Sequence, residues 1–186
     1  MASLTVNGLT FTGAYIDDSL GGNGAGIRDQ NTGPGAQLTI QNSTFTGNQE
    51  GILTGDDNDE TITVTNSNFI NNGNQLYDGA ANAALGCSAG SSSLAIDVPN
   101  GGRASISGNQ IIQGAASQNY KIVDYGEEGL AYGNSSLVVS GNNFSSSGTP
   151  SAIAIYDPYC VIAQLSNNTF SGITTIVSPA GCAVFQ

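Results

Sequence analysis

The chain has 186 residues, with 14 acidic and three basic side chains, no His, no Trp and a formal net charge of −11. That charge repels nucleic-acid phosphate and anionic membrane, and Arg28, Arg103 and Lys121 lie too far apart in sequence to form a basic cluster. No run of about 18 apolar residues exists to insert into a membrane as a helix, and 26 glycines with only 9% charged residues favour a turn-rich β protein over long helices.

The length suits one domain over residues 1–186, and 39% hydrophobic content is enough for a core. The opening MASLTVNG lacks the basic and apolar regions of a secretory signal, so a removed signal or an excised, uncapped module is expected.

The first predicted element is LTVNGLTF: Leu4 and Val6 alternate with polar residues, Gly8 supplies a bend, and Phe11 is an apolar anchor. The frame recurs as LTIQNSTF with Leu38, Ile40, Asn42 and Phe45, and as ITVTNSNF with Ile62, Val64, Asn66 and Phe69. ASISGNQI gives Ala104, Ile106, Gly108 and Ile111; LVVSGNNF gives Leu137, Val139, Gly141 and Phe144; AQLSNNTF gives Ala163, Leu165, Asn167 and Phe170. Gly and Asn tolerate the left-handed backbone that a sharp bend needs. The anchors lie 34, 24, 42, 33 and 26 residues apart, and the 42-residue interval has room for an extra degenerate turn.

Between anchors lies a second apolar family: GAGIRD at 24–29, GILTG at 51–55, SLAID at 93–97, YKIVD at 120–124, AIAIYD at 152–157 and GITTIV at 172–177. Like segments recur only after a whole period, which disfavours hairpins and predicts parallel stacking of each strand on its counterpart one turn away, with at least two strands per turn. A lone coil cannot bury its apolar side chains, so stacking supplies both the interior and the backbone ladders. The expected core stack is Phe11, Phe45, Phe69, Ile111, Phe144 and Phe170, with Asn42 and Asn66 forming an Asn ladder at the bend.

On these repeats the chain resembles the parallel β-helix proteins of the pectin-lyase-like superfamily. The resemblance implies an all-β, right-handed, single-stranded parallel β-helix, a solenoid of about six to seven coils. Residues 96–130, IDVPNGGRASISGNQIIQGAASQNYKIVDYGEEGL, are similar to a segment of bacterial β-helix proteins whose relatives often carry His-containing loops and an extra coil ahead of it. Here that region is the small-residue stretch DGAANAALGCSAGSSS.

Enzymes of the superfamily remove a proton beside a uronate carboxylate with Arg or Lys, often with Ca²⁺ held by acidic side chains, and related hydrolases use clustered Asp. Arg28 beside Asp29 and Lys121 beside Asp124 could face outward in that way, while Arg103 after two glycines is expected at a turn; surface ion pairing is the simpler role for all three. Asp29, Asp97, Asp124 and Asp157 each end a strand of the second family. Stacked in a column they would repel unless protonated, spaced or bridged by a cation; Asp97, Asp124 and Asp157 are therefore candidate Ca²⁺ ligands, and the alternative is that each caps its own turn. No other cofactor is expected.

DDNDE at 56–60 lacks the Gly and the distant Glu of an EF-hand and reads as a solvated loop. Asp17 and Asp18, like Asp56 and Asp57, are adjacent in sequence and point to opposite faces of an extended chain, so neither pair is assigned a catalytic role. Tyr156, Asp157, Tyr159 and Tyr125 are candidate glycan-binding residues, with Tyr120 and Tyr132 adding to the aromatic supply; packing of loops on the solenoid is the competing role. The N-x-S/T matches at Asn42, Asn134, Asn143 and Asn167 follow from the repeat itself.

Cys87, Cys160 and Cys182 allow at most one internal disulfide. The working reading is three small apolar core residues, the alternative a Cys160–Cys182 bridge.

Two functions follow as expectations. The first is a non-catalytic scaffold, secreted or at the cell surface, that stacks end to end on itself, adheres or binds polysaccharide, with no nucleic-acid partner and no membrane insertion. The alternative is a polysaccharide lyase or glycoside hydrolase acting on an acidic polysaccharide.

Overall fold

The computed structural model describes residues 2–16, 24–29, 35–55, 60–72, 94–115, 117, 119–131, 133–147, 149 and 151–186. The described secondary structure is all β, in three parallel sheets. The first sheet contains β1 (Ser3–Asn7), β4 (Gln37–Gln41), β7 (Thr61–Thr65), β10 (Arg103–Ser107), β13 (Ser136–Ser140), β16 (Ala163–Ser166) and β19 (Ala183–Phe185), in that order. The second contains β2 (Thr10–Thr12), β5 (Thr44–Thr46), β8 (Asn68–Ile70), β11 (Gln110–Gln113), β14 (Asn143–Ser146) and β17 (Thr169–Ser171). The third contains β3 (Ala25–Asp29), β6 (Glu50–Thr54), β9 (Ile96–Val98), β12 (Lys121–Tyr125), β15 (Ile153–Tyr156) and β18 (Thr175–Ser178). Each strand pairs with the strand three places on in the chain, so the polypeptide visits the three sheets in turn and then climbs one rung: a parallel β-solenoid of six to seven rungs.

Each coil has three strands where the repeat frame predicts at least two, because the bend does more than turn the chain inward. At Gly8, Asn42, Asn66, Gly108, Gly141 and Asn167 the backbone takes φ between 49° and 69°. One left-handed residue swings the chain out of the first sheet, and a separate short strand carrying the anchor begins two residues later. Across the 42-residue interval β10 pairs directly with β7, β11 with β8 and β9 with β6, so no extra rung stands there.

The register keeps like residues in columns. Leu4, Leu38, Ile62, Ala104 and Leu137 occupy one inward column, and Val6, Ile40, Val64, Ile106, Val139, Leu165 and Phe185 the next. In the second sheet Phe11 stacks on Phe45 with ring centroids 4.9 Å apart, Phe45 on Phe69 at 4.8 Å and Phe144 on Phe170 at 5.4 Å. Ile111 lies in register between Phe69 and Phe144. Gly51 clears the space beside Phe69: a Cβ there would meet the ring at 2.9 Å and the Ala95 carbonyl oxygen at 2.3 Å.

The amide ladder sits one residue later than expected. Asn42 and Asn66 are the left-handed bend residues, and the Asn42 side chain makes an exposed bond to Asn7 Oδ1 at 3.0 Å. The next residue turns inward. Asn109 donates from its backbone N–H and from Nδ2 to Asn142 Oδ1, both at 2.9 Å, and Asn142 does the same to Asn168 Oδ1 at 2.9 and 3.0 Å. Ser43 and Ser67 hold this position in the earlier coils, and Ser67 N–H donates to Asn109 Oδ1 at 2.8 Å. At the second bend, Asn48 donates from N–H and Nδ2 to Asn72 Oδ1 at 3.2 and 3.0 Å. Buried corners thus replace missing backbone partners with amides from the neighbouring rung.

Cys160 and Cys182 form a disulfide, which replaces the core-thiol reading for these two residues. Cys87 lies outside the described residues, as do Asp17, Asp18, Asp56, Asp57, Tyr132 and residues 78–93.

Candidate functional site

The third sheet brings the acidic and aromatic candidates together, because β3, β9, β12 and β15 carry Asp or Tyr at or near their ends and stack in register. Leu53, Asp97, Asp124, Tyr156 and Ser178 share one outward column. Asp29 pairs with Thr54, one residue further along, and Asp157 follows Tyr156 and so falls beyond Asp124. The four acids are therefore divided between two columns: Asp97 and Asp124 are neighbours, while Asp29 and Asp157 belong to the adjoining position at the corner.

Asp157 caps its own turn. It is fully buried and its Oδ2 accepts the Val161 N–H at 2.8 Å. Burial raises its pKa, against backbone bonds from Val161, Cys160 and Tyr159 that lower it. Turn capping, the alternative weighed for the acids of the third sheet, is the role that its contacts show.

Lys121 is the counter-ion of the column. Its Nζ lies 2.8 Å from Asp124 Oδ2 and 2.5 Å from Glu127 Oε1, and 4.2 Å from the centroid of the Tyr156 ring. The side chain is buried, so the surface ion pair expected for it is an interior one. Burial pulls its pKa down, but the hydrogen bonds to Asp124 and Glu127 outweigh this and the ammonium is held protonated. Burial pushes the Asp124 carboxyl up to about 8, aided by its hydrogen bond with Glu127. Asp97 is pushed up to about 7, first by burial and then by Glu127 and Glu128. Glu127 moves the other way: the hydrogen bond from Asp124 lowers it, and this half-exposed residue is the ionised partner of Lys121. Among the described residues no group of three or more His, Cys, Asp or Glu side chains is gathered as metal ligands.

No family model, curated protein or solved structure gives a significant match to this chain. The geometry therefore carries the functional reading. Tyr125 is completely buried and its hydroxyl donates to the Gly102 carbonyl at 2.5 Å, with burial raising its pKa to about 12, so it is unavailable to a sugar. Tyr159 and Tyr120 are exposed, and Tyr156 is half-buried with Lys121 over its ring. Arg103 opens strand β10 instead of occupying a turn, and its Nε donates to Thr61 Oγ1 at 3.1 Å.

Sequence reasoning missed Glu60 and Glu127. Glu60 belongs to the acidic run read as a solvated loop, yet it is buried where the chain enters β7. Glu127 sits in the turn after β12, and no local spacing signals that this turn folds back on Lys121. The only available hint was the segment YKIVDYGEE itself, in which one cation precedes three acids.

Proposed function

We propose that this chain is an extracellular scaffold, a right-handed, single-stranded parallel β-helix of the pectin-lyase-like kind, which adheres to glycans or to further copies of itself without cleaving polysaccharide. The observation that carries this reading is the state of Lys121. A lyase base must be neutral and open to substrate, whereas this ammonium is buried, bonded to Asp124 and Glu127 and held protonated.

Three further features support it. A disulfide between Cys160 and Cys182 belongs to oxidising compartments such as the cell exterior. The net charge of −11 repels uronate polymers and favours neutral glycans, whose apolar ring faces suit the exposed Tyr159 and Tyr120. The outermost described strands of the first sheet, β1 and β19, expose Leu4, Val184 and Phe185 beside unpaired strand edges.

Incubation with polygalacturonate, alginate and neutral glucans, with and without Ca²⁺, tests the reading. We expect neither unsaturated product nor new reducing ends, together with retardation on a neutral glycan matrix that weakens in Tyr159→Ala. Turnover that disappears in Lys121→Ala or Arg28→Ala would show instead that the chain is an enzyme.

A further inference from the structure

The charges of this chain are segregated by sheet. In the described strands of the first and second sheets the only charged residue is Arg103, and each of the 14 acids falls either in a third-sheet strand or in a connection that enters or leaves one. The seven tyrosines follow the same rule. On a chain with a net charge of −11, the outward positions of the first two sheets are therefore nearly neutral and carry no aromatic ring.

Short hydroxyl and amide side chains fill those positions in register. The central column of the first sheet runs through Thr5, Thr39, Thr63, Ser105, Val138 and Gln164 on successive rungs, each exposed or half-buried. Beyond the bend the pattern passes to the second sheet, where Thr10 pairs with Thr44 and Thr12 with Thr46. Paired strands repeat at about 4.7–4.9 Å, and alternate residues along a strand at about 6.6–6.8 Å. The result is a grid of hydroxyls spaced by a few ångströms, the scale on which water molecules repeat in an ice lattice.

We propose that the outward face of the first sheet is an ice-binding surface. A single hydroxyl gains little from ice, because it exchanges one hydrogen bond to liquid water for another. Net adhesion comes only when many groups, held at fixed spacing, meet the lattice at once. Parallel pairing fixes the backbone from β1 to β19 without a break, and threonine is stiff about χ1, so hydroxyl and methyl groups keep one pattern. Neutrality is the second requirement, since charged heads hold hydration shells that are costly to strip. Arg103, the one charge, lies in the neighbouring column with its Nε donating to Thr61 Oγ1 at 3.1 Å. The missing aromatic rings turn this face away from sugars, whose apolar sides stack on Tyr and Trp. Glycan contact belongs instead with Tyr159 and Tyr120 on the acidic side, and the ice-binding face does not depend on it.

Slow growth of pure ice from a dilute solution of the full chain reads this directly, because ice takes up a protein that binds it and pushes other solutes into the liquid. We expect uptake of the wild type, with faceted crystals and a gap between melting and freezing points. Thr39→Lys and Thr63→Lys set a charged head in the middle of the grid and should each lower uptake by about tenfold or more. Thr174→Lys, just before β18 of the third sheet, should leave uptake unchanged. Circular dichroism melting shows whether each variant folds, and Val138→Lys, at an exposed position of the same column, replaces one that does not. Exclusion of the wild type from ice, or uptake that the column variants retain, would overturn the proposal. Retention on an insoluble neutral glucan, lost in the column variants while ice uptake is absent, would overturn it too and give the face to a polysaccharide.

Discussion

Asn109 shows how one side chain holds three coils. It accepts the Ser67 N–H at 2.8 Å from the preceding coil, donates to the Val64 carbonyl at 3.0 Å and donates to Asn142 Oδ1 at 2.9 Å in the following one. Replacing it with Ala leaves the buried Ser67 N–H unpaired and removes the amide bonds to the Val64 carbonyl and to Asn142, and a buried group left unpaired costs about 1–3 kcal/mol. Asn109→Ala should therefore lower unfolding stability by roughly 2–4 kcal/mol, measured in urea, whereas Asn66→Gly one coil below should be near neutral, because Asn66 is exposed and its task is the left-handed bend that Gly also performs. The stacked rings give a second residue-scale expectation. Phe45 is fully buried between Phe11 and Phe69, and Phe45→Ala should cost about 3–5 kcal/mol by thermal or chemical unfolding.

At the scale of the element, the strands of the third sheet depend on close approach at glycine. A methyl at Gly51 would lie 2.3 Å from the Ala95 carbonyl oxygen, a backbone atom at the entry to β9, so Gly51→Ala must push β6 and the start of β9 apart. A loss of roughly 1–3 kcal/mol is expected, with faster amide exchange in both strands as the local signature. The disulfide acts on elements too. Cys160, after β15, is joined to Cys182, just before β19, across 22 residues. Opening a loop of that size by replacing both cysteines with Ser should lower stability by roughly 2–4 kcal/mol, with exchange rising first in β18 and β19.

At the scale of the whole molecule, stacking leaves inward columns uncovered at the outermost described rungs. Leu4 and Phe185 belong to inward columns, yet they are 48% and 64% exposed because no described rung covers them. Association through these edges should make the light-scattering mass rise with protein concentration, more so in mild acid or with divalent cations, which relieve the repulsion of the −11 charge. Phe185→Asp should suppress that rise without unfolding the chain, since the side chain is already largely in water. A mass independent of concentration would remove self-association from the proposed function.

The alternation of Leu38 with Ile40 and of Ile62 with Val64, the bend residue and the Phe anchor were legible in the sequence because a solenoid coil repeats its local environment, so each rung states the same demand again. Legible, too, were the strongly acidic balance and the separate apolar family that forms the third sheet. Residue order alone did not determine which acid meets which. A one-residue offset in register takes Asp157 away from Asp124, and the turn after β12 returns Glu127 to Lys121. Likewise, burial turned Glu60 from a loop acid into a proton-holding one and withdrew Tyr125 from the surface. These outcomes depend on long-range packing and on the dielectric it creates, quantities that a local pattern of side chains does not contain.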